Sequence, residues 1–274
     1  MLKRVYLEIT DACNLSCSFC SNAKGHSFMA IDDIRNIIKQ IKKHCNYIYL
    51  HVLGEPLLHP DFNEILEILD QEEMKLQLVT NGTLLGSYPD LLKHSCLRKI
   101  SISLHSIRNL EIERNYFETI NRLIENNGNS ILELRFYDYD HLSADLKGYY
   151  EELTGKYGLK PTRMKNCFLL KENTYILYNE FFDWPMINDP PIGDKGYCLG
   201  GKEMIAILHN GDVTLCCLDP KGHNSIGNIF KTSLDEILKE KRYLDYLASI
   251  NKRRLIFDLC TRCSYRLRFD GNNN

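Results

Sequence analysis

The sequence predicts an α/β fold with parallel strands, arranged as an open sheet or partial barrel and followed by a small extension of a β-hairpin and a helix. Three observations predict it. Short strand-like runs alternate with amphipathic helical patterns through the first two-thirds of the chain, as in repeated βαβ units. The loops TDACNLSCSFC, LGEPLLHP and TNGTLL follow the first three strands in turn, and parallel α/β folds gather function at the C-terminal ends of strands. Beyond a Pro-, Gly- and Asp-rich stretch near 180–200, the pattern becomes strand, Asn210-Gly211-Asp212, strand, a hairpin signal.

Taken in order, strands are predicted at 4–9, 46–52 (NYIYLHV), 75–80 (KLQLVT), 98–104 (RKISISL) and 131–137 (ILELRFY). Between them, Ile31, Ile34, Ile37, Ile38 and Ile41 share one helical face. Phe62, Ile65, Leu66 and Leu69 share another, with Asp61 placed to cap it. A third helical pattern runs from Ile112 to Ile124 and ends in Asn126-Asn127-Gly128, and a fourth occupies 143–157. In the extension, 232–250 (TSLDEILKEKRYLDYLASI) reads as one amphipathic helix opened by a capping box of Ser233 and Glu236. The resulting organisation is a core over 1–180, a linker over 181–197, an extension over 198–268 and a frayed tail over 269–274.

The 274 residues suffice for one large domain with an appendage. A net charge of −2 gives no steering towards nucleic acid or acidic lipid. The N-terminus has no apolar stretch long enough for a signal peptide or a membrane span. A cytoplasmic location is therefore expected, where eleven cysteines point to metal binding or thiol chemistry rather than to a disulfide framework.

Cys13, Cys17 and Cys20 sit on one short polar loop after the first strand. A four-iron cluster takes one thiolate per iron, so three thiols leave one iron open to an outside ligand. Taken alone, the loop also fits zinc held by the same three cysteines and His26.

The run Cys13-Asn14-Leu15-Ser16-Cys17-Ser18-Phe19-Cys20 resembles the signature of the radical S-adenosylmethionine (radical SAM) superfamily, including the aromatic residue before the last cysteine. Leu53-Gly54-Glu55-Pro56 resembles that family's Gly-Gly-Glu-Pro stretch, with Leu53 in place of the first glycine. Thr80-Asn81-Gly82 and the strand bearing Ser101 and Ser103 resemble its nucleoside-lining positions. The resemblance implies a partial (β/α)6 TIM-like barrel whose open iron chelates SAM and cleaves it to a 5′-deoxyadenosyl radical. It also implies that Phe19, Gly54, Glu55, Thr80, Asn81 and Ser103 contact SAM, with Arg114 on its carboxylate and Arg108 as the competing candidate.

A second group comprises Cys198, Cys216, Cys260 and Cys263. By themselves these four fit structural zinc. Behind such a core they resemble the SPASM domain in its shortened, twitch form, which implies one fully ligated auxiliary [4Fe–4S] cluster. Cys45, Cys96 and Cys167 read as buried packing residues. Cys217 adjoins a presumed ligand, and on a strand it would face opposite to Cys216. It is a candidate donor of a hydrogen atom to a substrate radical. Histidines 59, 105, 209 and 223 read as surface or packing residues, and Trp184 as a plug at the domain interface.

The expected partners are an external electron donor such as flavodoxin or ferredoxin and a small polar substrate, an aminocyclitol or sugar, that is dehydrogenated. A ribosomally made peptide undergoing epimerisation or crosslinking is the alternative, and a non-catalytic zinc protein the remote one. The absence of a leading peptide-recognition domain favours the small molecule.

Overall fold

The computed structural model describes residues 2–21, 25–107 and 114–269. Their strands are β1 (Arg4–Leu7), β2 (Tyr47–Leu50), β3 (Lys75–Thr80), β4 (Leu97–Ser103), β5 (Ile131–Arg135), β6 (Lys160–Pro161), β7 (Cys167–Lys171), β8 (Thr174–Leu177), β9 (Met204–Ile207), β10 (Asp212–Thr214) and β11 (Gly227–Asn228). Their helices are α1 (Ile31–Lys42), α2 (Phe62–Gln71), α3 (Arg114–Asn126), α4 (Ala144–Tyr157), α5 (Leu234–Ile237), α6 (Lys241–Asn251) and α7 (Asp258–Arg262). All strands join one sheet in the order β11-β10-β9-β1-β2-β3-β4-β5-β8-β7-β6. From β9 through β8 every neighbouring pair is parallel. The ends do not meet, so the barrel is partial. Both edges are two-residue strands, one containing Pro161, which limits edge-to-edge association.

Alternation along the strands sorts the two faces. Val5, Leu7, Ile48, Leu50, Leu76, Leu78, Ile100, Ile102, Leu132 and Leu134 belong to the main core with the helices. Helix α1 docks there through Ile34, Ile37, Ile38 and Ile41, each at most 2% exposed, at about 2 kcal/mol per buried aliphatic side chain. A charge at Ile38 would undo that docking. The intervening residues, among them Arg4, Tyr6, Tyr49, Gln77, Ser101, Glu133 and Arg135, occupy the opposite, inner face. A second, smaller cluster of Tyr6, Val52, Met204, Ala206 and Leu208 forms there.

Several expectations are corrected. Asp61 occupies the N-cap of α2, but its side chain makes no capping bond. The capping box of Ser233 and Glu236 forms, yet 232–250 is two helices rather than one. Glu240 is extended between them (φ −60°, ψ 141°), which turns α6 so that Tyr243 and Tyr246 donate to the carbonyls of Gly201 (2.7 Å) and Gly200 (2.6 Å). The expected hairpin of the extension forms from antiparallel β9 and β10. Its strand β9 adds in parallel to β1, pairing Arg4–Leu7 with Met204–Ile207. The loop to β10 turns at Gly211 (φ +84°). Of the expected tail over 269–274, Phe269 instead closes a short 3-10 helix (Ser264–Phe269), while 270–274, like Arg108, lie outside the described residues. Cys45 is half-buried rather than buried, whereas Cys96 and Cys167 are buried.

Candidate active site

Cys13, Cys17 and Cys20 line a cavity of about 270 Å³ at the C-terminal ends of β1 to β4. Gly54, Glu55, Thr80, Asn81 and Ser103 line it too, so the loops singled out in the sequence converge. His26 is exposed and stands outside this lining. Gly54 explains how the loops approach so closely. At φ +74°, a Cβ there would lie 2.3 Å from the carbonyl oxygen of Thr10 and 2.9 Å from that of Ala12. No side chain fits, and the left-handed conformation itself favours glycine.

Glu55 ties the loops together. It is 2% exposed, and its carboxylate accepts from Leu57 N (3.1 Å), Thr80 Oγ1 (2.8 Å) and Asn81 N (2.7 Å). Burial raises its pKa to about 6 against the pull of those bonds. Three of roughly four acceptor positions on a carboxylate are thus engaged by the chain. Thr80 Oγ1 also accepts from Gly82 N (2.9 Å). Asn81 holds Asn14 (2.9 Å) and Thr83 (2.9 Å) with its side-chain amide. These two side chains therefore shape the loops from within, beyond the contact role expected of them. Ser103 lines the cavity from β4, while Ser101 points to Glu133 (2.6 Å) and is fully buried. Arg114 opens α3, but its side chain lies outside the described residues.

The cysteine loop is clamped from the linker. Phe181 stacks on Phe19 (4.3 Å, 14°), and Trp184 Nε1 donates to the Phe19 carbonyl (3.1 Å). Trp184 is therefore a fastener of this loop. A second tie was not expected. Glu8, 1% exposed, accepts from Leu53 N (3.0 Å) and from His209 at Nδ1 (2.8 Å) and N (3.2 Å). His209 Nε2 faces Asp11 (3.4 Å). His209, read as a packing residue, thus joins the extension hairpin to the core, and the bond to Glu8 raises its pKa.

The four thiols of the extension face one another. Burial pushes Cys198, Cys216, Cys260 and Cys263 up; neighbouring thiols push the first three further, while Arg266 and Arg268 pull Cys263 back. Thiols so placed ionise together only around a cation. Gly200 N and Asn224 Nδ2 donate to the sulfurs of Cys198 and Cys260 (both 3.3 Å), and the nearby Arg266 guanidinium is 3% exposed. Hydrogen-bonded thiolates beside a buried cation suit an iron–sulfur cluster. Among the described residues, no three His, Cys, Asp or Glu side chains converge as a single metal ion requires.

Cys216 and Cys217 lie just past β10 in a turn, not on a strand, because β10 ends at Thr214. Cys217 nevertheless packs on the inner-face cluster that holds Tyr6, and burial pushes it up to about 12. That face holds further polar groups which went unread. Arg4, Tyr6 and Glu8, Tyr49 and His51, and Glu133 and Arg135 recur at spacing two in RVYLE, NYIYLHV and ILELR. The same alternation that located the strands carried this signal.

Two family models match the chain: "Radical SAM superfamily" over residues 7–132 and "Iron-sulfur cluster-binding domain" (SPASM) over 198–264. The "Probable GTP 3′,8-cyclase" of Methanococcus maripaludis is 35% identical over 106 residues, which are 37% of this chain and 36% of that protein. The matched stretch thus spans about a third of that relative's length. Among solved structures, BtrN in complex with AdoMet and 2-DOIA has TM-score 0.58 at 16% identity, covering 96% of this chain and 93% of that one. Streptococcus suis SuiB bound to the precursor peptide SuiA has TM-score 0.55 at 13% identity, covering 99% and 74%. At these identities the two structures share the fold.

Proposed function

Because the chain is a radical SAM enzyme with a C-terminal SPASM domain, we propose that it dehydrogenates a small polar molecule bound on the inner face of the sheet. The two domains together imply SAM and two [4Fe–4S] clusters. When bound, these groups supply a 5′-deoxyadenosyl radical that takes a substrate hydrogen atom and an acceptor for the second electron.

The chain's own residues do the rest. Cys13, Cys17 and Cys20 hold the first cluster against the cavity. Gly54 lets the second loop approach, and Glu55 fixes the ends of β2 and β3 while presenting its last acceptor position to the SAM ammonium. Phe19 and Ser103 flank the nucleoside, and Arg114 serves its carboxylate. Cys198, Cys216, Cys260 and Cys263 hold the auxiliary cluster. An external reductant of the flavodoxin or ferredoxin type supplies electrons.

One observation carries the dehydrogenation reading. Val52 lines the cavity, and Cys216 packs on the same inner-face cluster as Val52. The auxiliary site therefore adjoins the chamber in which a substrate radical would form. Cys217, on the same cluster, favours a second reading: hydrogen return to a peptide radical, for which SuiB with its bound peptide is a fold precedent only. The match to the GTP cyclase covers too little of either chain to carry a substrate across.

The test is 5′-deoxyadenosine formation by anaerobically reconstituted protein with SAM and a strong reductant. Product is expected from the parent protein and none from Cys17→Ala; cleavage by that variant refutes the assignment. With substrate in hand, loss of two hydrogens marks dehydrogenation, whereas deuterium uptake from solvent marks epimerisation.

A further inference from the structure

We propose that His51 and Arg135 form an anchoring site for an acidic group of the substrate, a carboxylate or phosphate, at the inner wall of the cavity. The proposal rests on the radical SAM reading and adds the substrate's chemical class to it.

The residues come from the C-terminal ends of β2 and β5. His51 follows β2 and lines the cavity. Arg135 ends β5 as the register partner of Ser103, which also lines it. The two side chains are close enough for the guanidinium to depress the imidazole, which burial and Arg135 together push down to about 3. His51 is therefore neutral at working pH, and with its proton on Nδ1 it is a hydrogen-bond donor.

Among the described residues, His51 Nδ1, Arg135 Nε and Arg4 Nε are buried and without a hydrogen-bond partner, although Arg135 is paired through its Nη2. Arg4 lies 5.7 Å over the ring of Tyr49, which with Tyr6 contacts the His51 ring at 6.1 and 5.1 Å. Buried polar groups in folded proteins nearly always find partners, so such orphans call for a missing one.

Charge gives the sign of that partner. Glu133 is engaged by Lys99, by Ser101 (2.6 Å) and by Arg135 Nη2 (3.4 Å). Burial raises this carboxyl, but Arg135 and Lys99 hold it below its usual range. Lys99 and Arg135 thus both face this one carboxylate, and the Nε–H groups of Arg135 and Arg4 stay unpaired among the described residues. An ammonium group would be repelled. An oxyanion accepts from Arg135 Nε–H and His51 Nδ1–H and neutralises part of the excess, and charge-assisted bonds of this kind are the strong ones.

The experiment uses the reconstituted, SAM-loaded holoenzyme, so that SAM's own carboxylate is already seated. Saturation-transfer NMR on the methyl signals compares acetate, methyl phosphate and neutral acetamide. Saturable binding is expected for one of the two anions, which tells carboxylate from phosphate, with acetamide at least tenfold weaker. Arg135→Gln and His51→Phe are each expected to weaken the anion at least tenfold. His51→Phe leaves the Glu133 pairing intact, so it decides the matter if Arg135→Gln fails to load iron. Equal binding of acetamide, or anion binding unchanged in His51→Phe, overturns the proposal. Anion binding abolished by SAM assigns the site to the cofactor and overturns it as well. 5′-Deoxyadenosine formation by the same parent preparation separates the two failures. If it is present, the anchoring site alone falls; if it is absent, the radical SAM reading falls with it.

Discussion

Replacing His209 by Ala tests the tie between extension and core. The substitution removes the 2.8 Å bond to Glu8 and leaves that carboxylate, 1% exposed, with the backbone amides of Leu53 and residue 209. Breaking a buried ion pair costs about 3–5 kcal/mol; the two surviving amide bonds place this case near 3. For a chain of this size, that lowers the melting temperature by roughly 6–12 °C. The loss depends on pH with a definite sign. The folded pKa of His209 lies above its ordinary value, first through the bond to Glu8. The charged pair's contribution is therefore full below about pH 6.5 and fades as pH rises through the folded value. Thermal unfolding of parent and variant at pH 6 and pH 9 is the assay. The difference is expected to shrink towards about 1 kcal/mol, the worth of a neutral hydrogen bond. His209→Gln keeps a donor without the charge and is expected to show a difference from parent that likewise falls with pH. A penalty for His209→Ala that is equal at both pH values, or below about 0.5 kcal/mol throughout, refutes the ion-pair reasoning.

Gly54→Ala forces a Cβ to within 2.3 Å of the Thr10 carbonyl and adds about 1–2 kcal/mol of left-handed strain. SAM affinity is expected to fall more than tenfold by equilibrium dialysis, and parent-like binding would show that the loop yields freely. Cys260→Ala should remove about half of the iron by colorimetric assay, since one of two four-iron clusters is lost, while uncoupled SAM cleavage persists; unchanged iron defeats the assignment. Cys217→Ala should retain both clusters by iron and sulfide analysis. It should stall turnover only if its thiol returns hydrogen; for a dehydrogenase, product formation continues.

The sheet was legible because its two faces differ. In RVYL, KLQLVT and RKISIS, apolar residues at spacing two located β1, β3 and β4 within one or two residues. Strands β7 and β8 went unread, since CFLLK and TYIL lack that alternation and take their place only through pairing with β5 and each other. The break at Glu240 was invisible for a similar reason: two tyrosine hydroxyls reaching Gly200 and Gly201 set it, not the local amphipathic pattern. The cysteine, Gly-Glu-Pro and Thr-Asn-Gly motifs announced the cavity because each is local. His209 did not, since its partner Glu8 is 201 residues away. For Glu55 the residue was identified but its chief use was not. Its bonds to Thr80 and Asn81 follow from the adjacency of β2 and β3 rather than from the motif.

The parallel addition of β9 to β1 is what lets one chain use two thiol sites on one chamber. A strand paired with β1 over Arg4–Leu7 carries its hairpin to the same end of the sheet as the first cysteine loop, because parallel strands share their C-terminal ends. The return strand then places Cys216 and Cys217 against Tyr6 and Val52. Had β9 added antiparallel, its hairpin would have emerged at the opposite end, away from Glu8, Asp11 and the cavity. The tie between His209 and Glu8 fixes this register, since a shift of one residue along β9 would turn the inner-face Met204 and Ala206 outward. Loosening that tie should therefore impair communication between the two sites before it disturbs either one. In His209→Ala, SAM cleavage uncoupled from substrate should persist, while the fraction of cleavage events that yield oxidised product should fall.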